Sequence, residues 1–395
     1  MTDGAAIEPR GFPGLNALRA AGAFMVLLTH SAFDTGRIQL GWTGAVLARF
    51  DFGVAIFFVL SGFLLSRPFL QRAARAQPRP STRHYLWKRA LRIMPLYWLT
   101  VGAAYVLEPE NRANLSGLDW VRSLTLTQLY HAGLLPTGLT QMWSLATEAA
   151  FYVVLPALCL VLLGRRGRFS EIRVLVLLGI VTVAGVVWQG RVATIPGYQG
   201  HYAQWLPGYL PWFCAGIALA TISVANTERG RNWLTGVAAD ATGCWFVAAA
   251  VFALACTPLA GPRTLAQPAA SDAAMKAVLY CIAATMLVLP LVLGPQREGW
   301  VRRVCAHPVP TYLGEISYGV FCLHVLVMKG VFRATDTPIF TGSFPLIALT
   351  TAVITVFVAT LAHYVVERPF LRLKETRPPS SRASRAKARA TTSNH

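Results

Sequence analysis

Ten long apolar runs, separated by short polar loops, dominate the sequence. An α-helix needs about 17–25 mostly apolar residues to cross the hydrocarbon core of a bilayer. The runs lie at about residues 13–31, 45–67, 93–108, 143–163, 172–188, 207–223, 239–259, 273–293, 312–333 and 345–366. The chain is 54% hydrophobic and only 13% charged, whereas soluble domains carry about twice that charge. The sequence therefore predicts an all-α, polytopic membrane protein with about ten transmembrane helices.

The distribution of Lys and Arg predicts the orientation of these helices. If the N-terminus lies inside, the inward segments hold 25 of the 36 Lys and Arg residues and the outward loops hold six. Such a bias is typical of cytoplasmic loops, so we expect both termini in the cytoplasm. The net charge of +19 is then explained by the membrane topology, and binding of nucleic acid is not needed to account for it. The expected partner of the basic segments is membrane lipid.

Three segments follow from this topology. Residues 1–12 form a cytoplasmic N-terminus, residues 13–370 the membrane domain, and residues 371–395 a disordered basic tail on the cytoplasmic side. The Ala-, Arg- and Gly-rich composition favours a bacterial source, which places the chain in the cytoplasmic membrane. The seven cysteines lie mostly inside apolar runs without a CxxC motif, and we expect no metal site.

The first run, "LNALRAAGAFMVLLTH", contains Arg19 and His30. Eleven residues correspond to three helical turns plus about 20°, so both side chains lie on one face, about 16 Å apart along the axis. Charged groups inside a bilayer are costly and tend to mark function. The alternative is an interfacial histidine and an arginine that extends to the headgroups, as we expect for Arg49 and Lys276.

The fourth run begins "MWSLATEAAFYVVLP" and carries a polar face. Ser144, Glu148 and Tyr152 recur every four residues, with Trp143 beside them. Glu148 lies at a depth similar to that of His30, so we expect its carboxylate to face and orient the imidazole. The alternative is a glutamate at a helix end next to an interfacial aromatic residue.

The segment between the second and third runs is strongly basic. Arg89 and Arg92 are i, i+3 neighbours on a helix and can grip a phosphate together, with Arg19 approaching from the membrane. Glu367-Arg368-Pro369 at the inner end of the tenth run, with Arg368 as its cation, is a further candidate for this inner cluster or else an ordinary helix stop. The simpler interpretation is a cytoplasmic loop with an interfacial helix.

Two further features allow alternative interpretations. Ser61-Gly62 in the second run favours close helix packing but also leaves room for the chain of a ligand. His324 in the ninth run and His363 in the tenth are more often packing residues than ligands.

Five motifs resemble those of the acyltransferase-3 family of integral membrane acyltransferases. They are "LRAAGAFMVLLTH", "GVAIFFVLSGFLLSRPF", "KRALRIMPLYW", "WSLATEAAFYVVLP" and "ISYGVFCLH", and they occur in family order across residues 15–370. Ala55 and Phe321 replace residues that are common in the family, which leaves acceptor specificity open.

The resemblance implies transfer of an acyl group, usually acetyl, from an acyl-CoA donor to a hydroxyl. The expected acceptors are a sugar, surface glycan, lipid-linked saccharide or secreted small molecule such as a macrolide. His30 would be the general base, oriented by Glu148. Combined with the residue patterns, this assigns catalysis to Arg19, His30 and Glu148, donor binding to Arg19, Ser61, Arg89 and Arg92, and acceptor binding to Trp143, Ser144, Tyr152 and His324.

Several alternatives remain open from sequence. An acyl-histidine intermediate and a cytoplasmic acceptor both fit the same residues. A proton-coupled transporter is the main alternative function, and it predicts helices interrupted in both halves of the chain. A non-catalytic membrane scaffold is the second.

Overall fold

The computed structural model describes residues 12–131, 135–164, 167–195, 202–230, 233–264, 266–295 and 298–373. The predicted N-terminal segment 1–12 and basic tail 371–395 lie outside these residues, apart from residue 12 and residues 371–373.

Within the described residues the chain is helical and contains no β-strand. The α-helices are α1 Gly14–Asp34, α2 Gly41–Ala48, α3 Gly53–Ala74, α4 Thr82–Leu107, α5 Pro109–Asn114, α6 Gly117–Leu124, α7 Met142–Leu163, α8 Glu171–Val192, α9 Leu206–Arg229, α10 Trp233–Ala239, α11 Ala241–Ala255, α12 Ala270–Val292, α13 Trp300–Cys305, α14 Pro308–Glu315, α15 Ser317–Ala334, α16 Phe344–Ala362 and α17 Arg368–Arg372. Short 3-10 turns occupy Arg37–Gln39, Arg49–Phe52, Gln128–Tyr130, Tyr202–Gln204 and Pro258–Ala260, and a π-helical turn occupies His363–Glu367.

The prediction of a polytopic helical membrane protein is confirmed. Among the described residues, eight helical runs are long and apolar enough to cross a membrane, and α10 with α11 makes a ninth that bends by 84°. Helix α1 adds 21 residues, or about 31 Å, although its polar residues lower its hydropathy. All ten predicted spans therefore coincide with helices, and this part of the chain contains one sharply broken span rather than the pair that a transporter predicts.

The third span starts well before the apolar run. Helix α4 begins at Thr82, and the hydroxyl of Ser81 accepts a hydrogen bond from the backbone N–H of His84 as its N-terminal cap. Arg89 and Arg92 therefore belong to the membrane-entering helix itself, not to a separate interfacial helix.

Helices α3 and α9 cross with their backbones in contact. A Cβ atom on Gly216 would lie 2.0 Å from the carbonyl oxygen of Val59, and one on Gly62 would collide with the carbonyl oxygen of Phe213. Only glycine permits this approach, so the packing interpretation of Gly62 is confirmed.

Central and peripheral helices differ in burial. The span that contains α9 is 78% buried within the protein, whereas α8 is 17% buried and the run that begins with α16 is 28% buried. The outer helices expose apolar side chains such as Ile180 and Phe357, as expected of a surface that faces lipid.

Arg49 does not extend to the membrane surface as the sequence predicted. Its side chain is 3% exposed, and its guanidinium donates to the carbonyl oxygens of Ala255 (2.9 Å), Gly261 (2.5 Å) and Pro262 (3.4 Å). Ala255 ends α11, where unpaired carbonyls carry partial negative charge, so the arginine stabilises this helix end.

The crossing of α3 and α9 generates a stability prediction. Gly216→Val forces a side chain into the backbone of α3, and we expect it to cost at least about 1–3 kcal/mol of unfolding free energy. Gly179→Val is the matched control, because Gly179 lies in the exposed face of α8 with no atom within 4 Å of its Cβ position. The measurement is the temperature at which each purified variant loses its monodisperse size-exclusion peak. Equal melting of both variants would contradict the crossing.

Candidate active site

A cavity lies in the middle of the helical bundle. Five helices form its wall: α1, α3, α4, α7 and α15. Its lining residues are Arg19, Val54, Phe57, Phe58, Ser61, Arg92, Ile93, Ser144, Leu145, Glu148, Tyr152, Ser317, Tyr318 and Phe321. Six of the ten site residues predicted from sequence therefore meet in one place. We call this space the central cavity.

Glu148 is the carboxylate of the central cavity. It accepts a hydrogen bond from the hydroxyl of Ser61, and it interacts with Tyr152 one helical turn further along α7. The opposing charge of Arg19 acts across the cavity from α1. The predicted alignment of Ser144, Glu148 and Tyr152 on one face is confirmed, because helix α7 runs without interruption through all three.

Three arginines lie in or next to the central cavity. Arg19 and Arg92 line the cavity, and the charges of Arg92 and Arg89 both act on Arg19. Arg89 also acts on Tyr152 and on Tyr85. The Nε atom of Arg89 and the hydroxyl of Tyr85 are buried without a hydrogen-bond partner among the described residues. Buried unpaired donors and surplus positive charge suit an anionic ligand.

Glu367, which the sequence offered together with Arg368 as a candidate for the inner cluster, lies within reach of the Arg92 charge. Glu367 lies in the π-helical turn, is 3% exposed, and interacts with Arg92 and with the Nδ1 atom of His363 at 3.4 Å. Arg368, the predicted member, is exposed and stacks over Tyr364 at 5.6 Å. The extra residue in a π-helical turn changes which side chain points inward, and this local irregularity gave no sequence signal.

Tyr318 lines the central cavity, although it was not selected as a site residue from sequence. Its hydroxyl donates to the carbonyl oxygen of Ile93 at 2.7 Å, and this bond ties α15 to α4 beside Arg92. The "ISYGVFCLH" motif contained it, but the motif alone did not show that its hydroxyl braces the arginine helix.

His30 lies in a different cluster. Its ring centroid is 5.2 Å from that of His324, with the planes at 83°. Asp34, Asp51 and Lys329 supply the charges that act on His30. Asp34 and Lys329 form an ion pair at 3.0 Å that joins α1 to α15.

The predicted contact between Glu148 and His30 is wrong. Among the hydrogen bonds of the described residues, none joins them, and Glu148 is held by Ser61, Tyr152 and Arg19 instead. Depth counted along two helices does not establish which neighbour a side chain faces. In this bundle α3 supplies Ser61 at the level of Glu148, whereas α15 supplies His324 beside His30.

His324 has a specific hydrogen-bonding state. The side chain is 0% exposed, and its Nδ1 atom lies 3.1 Å from the carbonyl oxygen of Val320 and 2.8 Å from that of Phe321. Carbonyl oxygens only accept, so Nδ1 carries the proton. Its Nε2 atom is buried and has no partner in the described part of the chain. His324 thus presents a lone pair near His30.

Trp143 does not line the central cavity. It lines a second cavity, and its ring centroid is 5.2 Å from that of Tyr209 on α9. Its neighbour Ser144 does line the central cavity.

No cluster of three His, Cys, Asp or Glu side chains with metal-binding geometry occurs in the described residues.

Comparison with known proteins agrees with this architecture. Peptidoglycan O-acetyltransferase OatA of Listeria monocytogenes is 27% identical over 164 residues, which are 38% of this chain and 24% of that protein. Acyltransferase MdmB of Streptomyces mycarofaciens is 24% identical over 407 aligned positions, with 94% of both chains covered. Putative acetyltransferase ORF330 of Acidianus two-tailed virus is 23% identical over 80% of this chain and 81% of its own.

The chain thus spans about a quarter of OatA but nearly all of MdmB. No solved structure is a significant match. The family described as "Acyltransferase domain" matches residues 12–364, which is most of the chain. This protein belongs to the acyltransferase-3 family and is a membrane acyltransferase.

Proposed function

We propose that this enzyme moves an acyl group from acyl-CoA to a hydroxyl group, with acetyl as the first acyl group to test. The acceptor belongs to the sugars, surface glycans, lipid-linked saccharides or secreted small molecules such as macrolides, and the enzyme resides in the bacterial cytoplasmic membrane. The observation that carries this proposal is the central cavity, where arginines gather at one end and a polar helix face continues toward the other. The similarity to OatA, a peptidoglycan O-acetyltransferase, supports a glycan acceptor and acetyl transfer.

The arginines form the donor site of this proposal. Arg19 and Arg92 line the cavity, and Arg89 adds a buried unpaired Nε atom. Guanidinium groups bind phosphate with paired, charge-assisted hydrogen bonds. The acyl donor supplies an activated thioester, while Ser61 holds the Glu148 carboxylate that balances Arg19. The arginine ends of α1 and α4 then face the cytoplasm, as the loop charges predict.

His30 is the proposed general base. A neutral imidazole has one free lone pair, and it serves as a base only when that lone pair faces the acceptor hydroxyl. His324 offers its Nε2 lone pair at a centroid separation of 5.2 Å, so a rotation of the His30 ring brings a ring N–H to this acceptor. Such a hydrogen bond fixes the tautomer of His30 and leaves its other nitrogen free to accept a proton.

The charges around His30 complete this arrangement. When His30 takes the hydroxyl proton it becomes a cation, and Asp34 and Asp51 supply compensating negative charge. Lys329 holds Asp34 in place by the 3.0 Å ion pair. In this proposal His324 positions the base, whereas the residue patterns and the family resemblance placed it at the acceptor.

Loss of His30 tests the base. We expect membranes that contain His30→Ala to transfer less than about 1% of the wild-type label from radiolabelled acetyl-CoA to alkali-labile products of a host glycan and lipid extract, because a general base contributes roughly 10²–10⁴-fold. His131→Ala is the control, since His131 is exposed. Equal transfer by His30→Ala and wild type at matched abundance would remove His30 from the mechanism.

The donor site predicts a selective effect of arginine replacement. Arg89→Gln and Arg92→Gln should raise KM for acetyl-CoA by roughly 10–100-fold, which corresponds to about 1.5–3 kcal/mol per charged hydrogen bond. The KM for S-acetylpantetheine, which lacks the phosphates, should not change. Arg83→Gln is the control, since Arg83 is an exposed arginine of the same helix. A parallel rise for both donors would contradict phosphate recognition.

The role of His324 can be tested with two substitutions, by Asn and by Gln, whose side-chain amides differ in length. In His324→Asn the side-chain amide replaces the Nδ1 donor to the backbone but leaves nothing at Nε2, whereas in His324→Gln an amide oxygen reaches the Nε2 position. We expect kcat to fall at least about tenfold in the Asn variant with KM unchanged, and to fall less in the Gln variant. Activity that instead follows the melting temperature of the two variants would make His324 a packing residue.

A further inference from the structure

A second cavity lies at the opposite ends of the helices from the arginine cluster. The turn before α3 and the first turns of α7, α9 and α12 form much of it. Its lining includes Asp51, Val54, Trp143, Tyr209, Trp212 and Lys276. We call this space the outer cavity.

The two cavities are neighbours. Val54 lines both of them. Of two adjacent residues, Trp143 lines the outer cavity and Ser144 lines the central cavity. Asp51, in the outer cavity, is one of the charges that act on His30. A molecule in the outer cavity therefore lies next to the central cavity and close to the proposed base.

One wall of the outer cavity is aromatic. The ring centroids of Trp143 and Tyr209 are 5.2 Å apart, and those of Tyr209 and Trp212 are 4.9 Å apart. The indole N–H of Trp212 donates to the carbonyl oxygen of Ala277 at 2.9 Å, but that of Trp143 has no acceptor in the described residues. Trp143 thus offers an apolar ring face together with an unused donor.

An ion pair between two lining residues, Lys276 and Asp51, supplies polar groups to the outer cavity. Lys276 Nζ lies 2.6 Å from Asp51 Oδ2, and the hydroxyl of Tyr280 donates to Asp51 Oδ1 at 2.5 Å. The side chains of Lys276 and Asp51 are 30% and 38% exposed, so both have polar atoms within reach of a ligand. A carboxylate that accepts and an ammonium that donates can bind hydroxyl groups together.

We propose that the outer cavity binds the acceptor as a hydroxylated sugar ring, with its apolar face on Trp143 and its hydroxyls on Asp51 and Lys276. This inference rests on the proposed acyl transfer and deepens it. It assigns the acceptor to the membrane face opposite the donor arginines, so donor and acceptor enter from different ends of the bundle and meet beside Val54. Arg49 takes no part in binding, because three backbone carbonyls occupy its guanidinium.

The test is direct binding, which needs no turnover. Wild-type protein in lipid nanodiscs free of sugar detergent is titrated with the methyl glycosides of glucose, N-acetylglucosamine and rhamnose, and saturation-transfer NMR reports binding. We expect at least one glycoside to bind, Trp143→Ala and Lys276→Met to weaken it at least about tenfold, and Trp143→Phe to retain it. Trp42→Ala is the matched control, because Trp42 is 77% exposed and outside the lining.

The outcomes separate this inference from the proposed function. Absence of binding by all three glycosides to the wild type would overturn the sugar assignment, and equal binding by wild type, Trp143→Ala and Lys276→Met would overturn the location. The affinity for acetyl-CoA, measured on the same samples, should be the same in Trp143→Ala and wild type. If Trp143→Ala no longer bound acetyl-CoA, the variant would be misfolded, and glycoside binding would then be judged from Trp143→Phe and Lys276→Met. Label transfer from acetyl-CoA by the wild type tests the proposed function separately.

Discussion

A charge inside the hydrocarbon layer has to be matched by another charge or by hydrogen bonds, and this constraint organises the whole bundle. Glu148 is matched by Ser61, Tyr152 and Arg19. Asp34 is matched by Lys329 on a helix almost three hundred residues away in sequence. Apart from the contact of Glu148 with Tyr152, which lies within α7, these matches join helices that are distant along the chain. The polar groups that prepare the chemistry therefore also determine which helices are neighbours.

The close backbone crossing of α3 and α9 gives this polar interior a firm wall. Gly62 and Gly216 leave no space for a side chain at the crossing, while the preceding residue Ser61 turns toward Glu148. A polar group and a packing group are thus adjacent in sequence and face different neighbours. The crossing borders the central cavity, because Ser61 lines the cavity and the next residue, Gly62, lies in the crossing.

The protein separates two kinds of chemistry along the membrane normal. Arg19, Arg92 and Glu148 line the central cavity, and Glu367 interacts with Arg92. The histidine pair with Asp34 and Lys329 lies nearer the other ends of the helices. In the proposed reaction, the first group binds an anionic donor and the second handles the proton of the acceptor hydroxyl. The outer cavity beside Val54 then gives the acceptor its own entrance.

The sequence by itself determined the helices, and it determined the face on which each polar residue lies, because helical periodicity and hydropathy are local properties. Ser144, Glu148 and Tyr152 share a face as predicted, and Arg19 meets Arg92. Only the tertiary structure decided which faces meet. It paired Glu148 with Ser61 rather than His30, placed His324 against His30, and turned Glu367 inward through a π-helical turn. Those pairings depend on how helices distant in sequence pack together, and no local pattern of residues contains that information.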